Sequence, residues 1–238
     1  LYIDDITTVE TKENTEEETK TPFSYTQDFE SVTNVSVIMG ENGLEWQVLP
    51  GDTAKTKLDT YVLDSTEYYR GSKSLKLTSH YTYNKFKFKN TCDTFTEEDK
   101  GKEYQISFMA KASKSGSFGA GMSYSDGKYK NNFAQMVNFT VNPEDVGVWK
   151  RYVYKFTVGD EQLNDNAVWF SIIPDKMGQS GPQYHMGVAA NGENEGWKYI
   201  DSLDTADPVY IYIDDFSSRE IVPVNGTSLD ILDKALIS

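Results

Sequence analysis

Ile211-Tyr212-Ile213-Asp214-Asp215-Phe216 is a short apolar strand that runs into two carboxylates. Alternating β-branched and aromatic residues mark a half-buried strand, and this one stands where a globular unit would close. The chain begins on a near-copy, Leu1-Tyr2-Ile3-Asp4-Asp5-Ile6. If the second copy closes this domain, the first reads as the closing strand of a preceding one. The acidic, threonine-rich run from Thr7 to Thr21, with Glu16, Glu17 and Glu18 in a row, is then a linker, because it has too few apolar groups to offset its ordering entropy. This divides the chain into an end strand plus linker at 1–21, a main module at 22–222, and a tail or the start of a next module at 223–238.

Working back from the closing strand, the same texture recurs. Leu75 and Leu77 alternate with Ser74, Lys76 and Thr78, and Tyr104, Ile106, Phe108 and Ala110 alternate with Gln105, Ser107 and Lys111. Phe118, Ala120, Met122 and Tyr124 are spaced by Ser117, Gly119, Gly121 and Ser123, while Tyr152, Tyr154, Phe156 and Val158 oppose Arg151, Lys155 and Thr157. No segment longer than a turn or two holds a 3.6-residue period. Short strands divided by turn residues predict an all-β fold, a two-sheet antiparallel β-sandwich of the jelly-roll kind. Residues 176–207 are Gly- and Asn-rich and weakly periodic. They read as a long loop, of the sort that is functional when it carries aromatics. Trp46 and Trp149 read as core.

The net charge of −14 argues against nucleic acid and anionic membrane surfaces as partners, since both require a basic footprint. No stretch approaches the roughly 18 apolar residues of a membrane span. Cys92 is the sole cysteine, which excludes an intrachain disulfide and a multi-cysteine zinc site. His80 and His185 stand far apart, and no compact set of acidic residues lies in a strand. Neither the paired carboxylates of glycoside hydrolysis nor a general base with a partner is written in the chain, which reads as non-catalytic.

Five phrases follow one another in order: Asp28-Phe29-Glu30, Tyr69-Arg70-Gly71-Ser72-Lys73-Ser74-Leu75-Lys76-Leu77, Lys100-Gly101-Lys102-Glu103-Tyr104-Gln105-Ile106-Ser107-Phe108, Trp149-Lys150-Arg151-Tyr152 and the closing strand. In this the chain resembles, over about residues 22 to 220, the jelly-roll carbohydrate-binding modules of families four, nine and twenty-two, within the galactose-binding-like group. The resemblance implies a non-catalytic module that tethers a secreted, multimodular glycan-degrading enzyme or cell-surface complex to a polysaccharide of the plant cell wall, outside the cell. Other modules of the same chain would be partners, since linked weak sites gain avidity.

The resemblance also implies one structural calcium near the first and last strands. Glu30 matches the opening carboxylate and Asp215 the closing one, with carbonyls of Arg70 and Lys73 completing the cage, a donor set of the oxygen type calcium takes. Asp215 shares strand parity with Ile211 and Ile213, so it is expected to point inward, where a carboxylate needs a partner. For sugar, the resemblance implies an aromatic face that stacks on C–H surfaces. Tyr83 stands where related modules carry a stacking aromatic, although Tyr83-Asn84-Lys85 replaces their usual Trp-Asn-Gly phrase. Tyr81 shares its parity, whereas Phe86 and Phe88 read as core. This reading needs a bend near Ser79 and His80; an unbroken strand would bury both tyrosines. Trp169 is a second candidate, with the core as its alternative placement. Tyr184, Trp197 and Tyr199 would fence one end of the groove. A neutral β-1,4-linked glucan, xylan or mannan is the expected ligand, with a starch-type α-glucan or a structural spacer role as alternatives. Acidic glycans such as pectin are disfavoured by net charge unless a local basic patch including Lys85 and Lys87 overrides it.

Overall fold

A computed structural model describes residues 23–39, 44–45, 59–80, 85–88, 95–125, 132–163, 167–179, 184–188, 194–199 and 207–222. The proposed preceding strand, linker and tail therefore lie outside the described residues, as do Trp46, Cys92, Tyr81 and Tyr83. The strands are β1 (Ser24–Gln27), β2 (Leu44–Glu45), β3 (Thr60–Asp64), β4 (Ser74–Ser79), β5 (Lys85–Phe88), β6 (Glu103–Ala112), β7 (Gly116–Ser125), β8 (Asn132–Val141), β9 (Lys150–Thr157), β10 (Ala167–Lys176), β11 (Tyr184–Val188), β12 (Asn194–Tyr199) and β13 (Val209–Ile221).

They form two antiparallel sheets and a hairpin. The first sheet runs β3-β4-β13-β6-β9, with β1 joining β13 at residues 216–219, beyond the end of its ladder with β4. The second runs β2-β5-β10-β7-β8. The expected alternation is what holds the sheets face to face. Leu75, Leu77, Ile106, Phe108, Phe118, Ala120, Met122, Tyr154 and Phe156 are all buried in one core, as a sandwich whose inner faces interdigitate requires. Phe170 of β10 is the cross-sheet joint. Its ring lies 5.6 Å from Phe88, 5.9 Å from Phe108, 5.8 Å from Tyr154 and 5.8 Å from Phe216. The buried Tyr154 hydroxyl is satisfied by the Met122 N–H, across the sandwich at 3.2 Å.

Three expectations are corrected here. Residues 176–207 are not one loop: β11 and β12 pair within it, Tyr184 opposite Tyr199 and Met186 opposite Trp197. Trp149 is outside the buried core and packs on Tyr69 with ring centroids 6.0 Å apart. It precedes the first paired residue of β9, so strand alternation does not aim it inward. Asp215 does not point inward either. Between Asp214 and Ser217 the β13–β6 ladder slips by one residue, a β-bulge that inverts side-chain parity. Asp214 is therefore buried at 1% exposure, Asp215 is exposed with φ 49°, and Phe216 returns to the core.

Candidate functional site

The bulge builds a polar corner between the last strand, the turn after β1 and the 65–73 loop. Asp214 Oδ2 accepts the backbone N–H groups of Tyr69 at 2.8 Å and Arg70 at 3.1 Å, and its Oδ1 accepts the Asp215 N–H at 2.7 Å. Burial pushes the Asp214 carboxyl above its ordinary value, against these three donors. Glu30 follows Phe29, whose φ of 64° turns the chain at a fully buried position. The Glu30 carboxylate accepts from the Ser72 hydroxyl at 2.6 Å and from the Ser72 and Lys73 N–H groups at 2.8 and 3.0 Å. The Ser72 hydroxyl first, then its N–H, hold Glu30 below its ordinary range. Gly71 is obligatory beside it, because its φ is 72° and a Cβ there would stand 2.4 Å from Glu30 Oε1; only glycine takes this backbone without strain.

These residues bear on the calcium expectation. Glu30 and Lys73 do come together, but the cation in the corner is the Lys73 ammonium. It donates to the carbonyls of Glu30 at 2.9 Å and Val32 at 3.1 Å. Asp215 turns outward, with Oδ2 3.9 Å from the Arg70 guanidinium. Calcium requires six to eight oxygens, and among the described residues no three acidic or histidine side chains converge. In this arrangement protein groups already engage both carboxylates, Ser72 and Lys73 at Glu30 and Arg70 at Asp215.

The second sheet carries the aromatic that sequence singled out. Phe170 and Ile172 of β10 are buried in the core, so Trp169, Ser171 and Ile173 face the other way. Trp169 is partly exposed, and the Lys87 ammonium stands 4.2 Å from its ring centroid, in cation–π geometry. Opposite β10, the outward positions of β7 are small: Ser123 pairs with Trp169, Gly121 with Ser171 and Gly119 with Ile173. A Cβ on Gly121 would lie 3.0 Å from Met136 Cα, so the glycine allows β8 to approach closely. The result is one partly exposed indole beside two buried glycines covered by Met136, with the exposed Asn138 on the β8 side. Lys85, Lys87, Ser171 and Ile173 also alternate outward yet are buried, so this face is covered at those positions and reaches solvent in part at Trp169. Lys87 was legible in the sequence only as part of a basic patch with Lys85, and the paired glycines were not singled out as part of a site. The Phe86 and Phe88 parity, which places Lys87 on the Trp169 face, is the signal that could have set the lysine beside the indole.

Of the remaining candidates, Tyr184 and Tyr199 are register partners in the β11–β12 hairpin, and Trp197 pairs with Met186. His80 is tied to a buried carboxylate: Asp59 Oδ1 accepts its backbone N–H at 2.6 Å and lies 3.1 Å from its Nδ1. No described helix is long and apolar enough to cross a membrane.

No protein-family model matches the sequence, and no curated protein matches it. Solved structures of similar fold do. The CBM22-1-GH10 modules of Clostridium thermocellum Xyn10B, an endo-1,4-beta-D-xylanase complexed with xylohexaose, align over 70% of this chain at 12% identity and a TM-score of 0.40. This chain spans 25% of that one. The N-terminal CBM22-1-CBM22-2 tandem domain of Paenibacillus barcinonensis Xyn10C aligns over 82% of this chain and 49% of its own, at 14% identity and a TM-score of 0.44. A CBM4 structure aligns over 69% of this chain and 80% of its own, at 19% identity and a TM-score of 0.35. The two antiparallel sheets make this chain a jelly-roll β-sandwich, similar in fold to these carbohydrate-binding modules.

Proposed function

We propose that the chain is a non-catalytic module that binds a neutral plant polysaccharide, a β-1,4-linked glucan, xylan or mannan. In this reading it tethers a secreted multimodular enzyme or cell-surface complex to its substrate. The observation that carries the proposal is Trp169, partly exposed on the outer face of the second sheet, where the core placement of Phe170 holds it. An indole in that position offers a flat apolar platform to a pyranose C–H face. The exposed Asn138 amide supplies polar groups for sugar hydroxyls.

Affinity electrophoresis against soluble glucan, xylan and mannan tests this. Retardation is expected with at least one of them, and Trp169→Ala should weaken it by about tenfold or more, as truncating an aromatic anchor does. An unchanged mobility in all three gels, from protein that keeps its native circular dichroism, would sink the proposal.

A further inference from the structure

The outer face of the first sheet holds a separate groove of about 730 Å3, within the range of ligand pockets. Its floor is the stretch where the β13 bulge loosens the ladder with β6, and its walls are the turn after β1 and the loop at Tyr69–Arg70. Phe108 and Phe216 face the core, so Ser107, Ser217 and Arg151 face the groove. They form a line of polar groups: Arg151 Nη2 donates to Ser107 Oγ at 3.3 Å, and Ser107 Oγ lies 2.9 Å from Ser217 Oγ. Tyr69 borders the line, 39% exposed, with Trp149 packed on its ring and the Arg70 guanidinium 5.3 Å from its centroid.

We infer that this groove binds a sugar bearing a carboxylate, a uronic acid unit of a polysaccharide, with Arg151 on the carboxylate and Tyr69 on the ring. A guanidinium matches a carboxylate with two parallel N–H donors, and the adjoining aromatic ring supplies the apolar surface a pyranose needs. The groove's own lining is balanced, Arg70 and Arg151 against Asp28 and Asp215, with Asp215 lying against Arg70 and Asp28 Oδ1 accepting the Glu30 N–H at 3.1 Å. In a chain with 37 acidic and 23 basic residues, a cationic row lies beside it: the outward rows of β6, β9 and β13 bring Arg219, Gln105 and Lys155 abreast, one row along from Ser217, Ser107 and Val153. The inference rests on the carbohydrate-binding proposal only for the class of ligand, since Trp169 is on the other sheet.

The test is isothermal titration with a glucuronate-substituted xylo-oligosaccharide and its unsubstituted counterpart, at low and at moderate salt. The acidic sugar should bind roughly tenfold more tightly at low salt, the worth of one charge-assisted hydrogen-bonded pair, and lose much of that advantage as salt screens it. Arg151→Gln and Tyr69→Ala should each reduce the acidic advantage while leaving affinity for the neutral sugar as it was. Trp169→Ala should do the reverse. Equal affinity for the two sugars, or a preference untouched in both groove variants, would overturn the groove. Acidic binding that depends on Arg151, without any neutral binding, would support the groove and count against the Trp169 proposal alone. If Arg151→Gln does not fold, the Tyr69→Ala result decides.

Discussion

Asp99 ends the short 3-10 turn Glu97–Asp99 that leads into β6, and it is 2% exposed. Burial alone would raise its carboxyl, but the Lys102 ammonium at 2.6 Å and the Thr96 N–H and hydroxyl at 2.9 and 3.0 Å outweigh that and hold it at about 2. A folded value below the unfolded 3.8 means stability that is present above pH 3.8 and lost as pH falls toward about 2. Melting temperature measured across that window should therefore fall for the native chain and fall less steeply for Asp99→Asn. Asp214 has the opposite sign, because its folded carboxyl is raised: the stability it contributes is present at acid pH and lost as pH rises. None of this was legible in the sequence, where Asp99 is one acid in a Glu-Glu-Asp run. Trp169 was half legible. Its strand could be read, but both faces of that strand carry apolar residues, so only the packing of Phe170 chooses between them.

Among the elements, β13 separates what alternation can reveal from what it cannot. Ile211 and Ile213 are buried as their period demands. Counting on in twos then gives the wrong answer for every residue to the bulge's far side, because one extra residue is enough to exchange the faces. The corner beside it has a similar lesson for Lys73, for which the resemblance implied only a backbone carbonyl toward a metal, yet whose ammonium ties the carbonyls of Glu30 and Val32. Lys73→Met should lower stability by about 1.5–3 kcal/mol, the worth of hydrogen bonds to a charged group, read as a fall in the denaturation midpoint. A divalent-ion chelator should leave the melting temperature of the native chain where it was. A clear rise in melting temperature on adding calcium would show that this corner rearranges into a metal cage.

For the molecule as a whole, the sandwich itself was the most legible feature. Four strands whose apolar residues recur in twos placed Leu75, Leu77, Ile106, Phe108, Phe118, Met122, Tyr154 and Phe156 in the core, since burying one face of each sheet against the other is the main source of stability such a pattern has. What sequence did not reveal was which residues from distant strands meet. Phe88, Phe108, Phe170 and Phe216 come from four strands and both sheets to form one cluster of rings. Phe170→Ala should cost about 3–5 kcal/mol, as large-to-small changes at fully buried aromatics do, measurable by urea denaturation. The bulge is separable from that cluster. Excising the single codon for Asp215 would remove the extra residue, set Phe216 two places after Ile213 and so leave it among the rings, while taking apart the corner built on Asp214. Across lineages, a copy of this segment one residue shorter should keep the core and lack the polar corner.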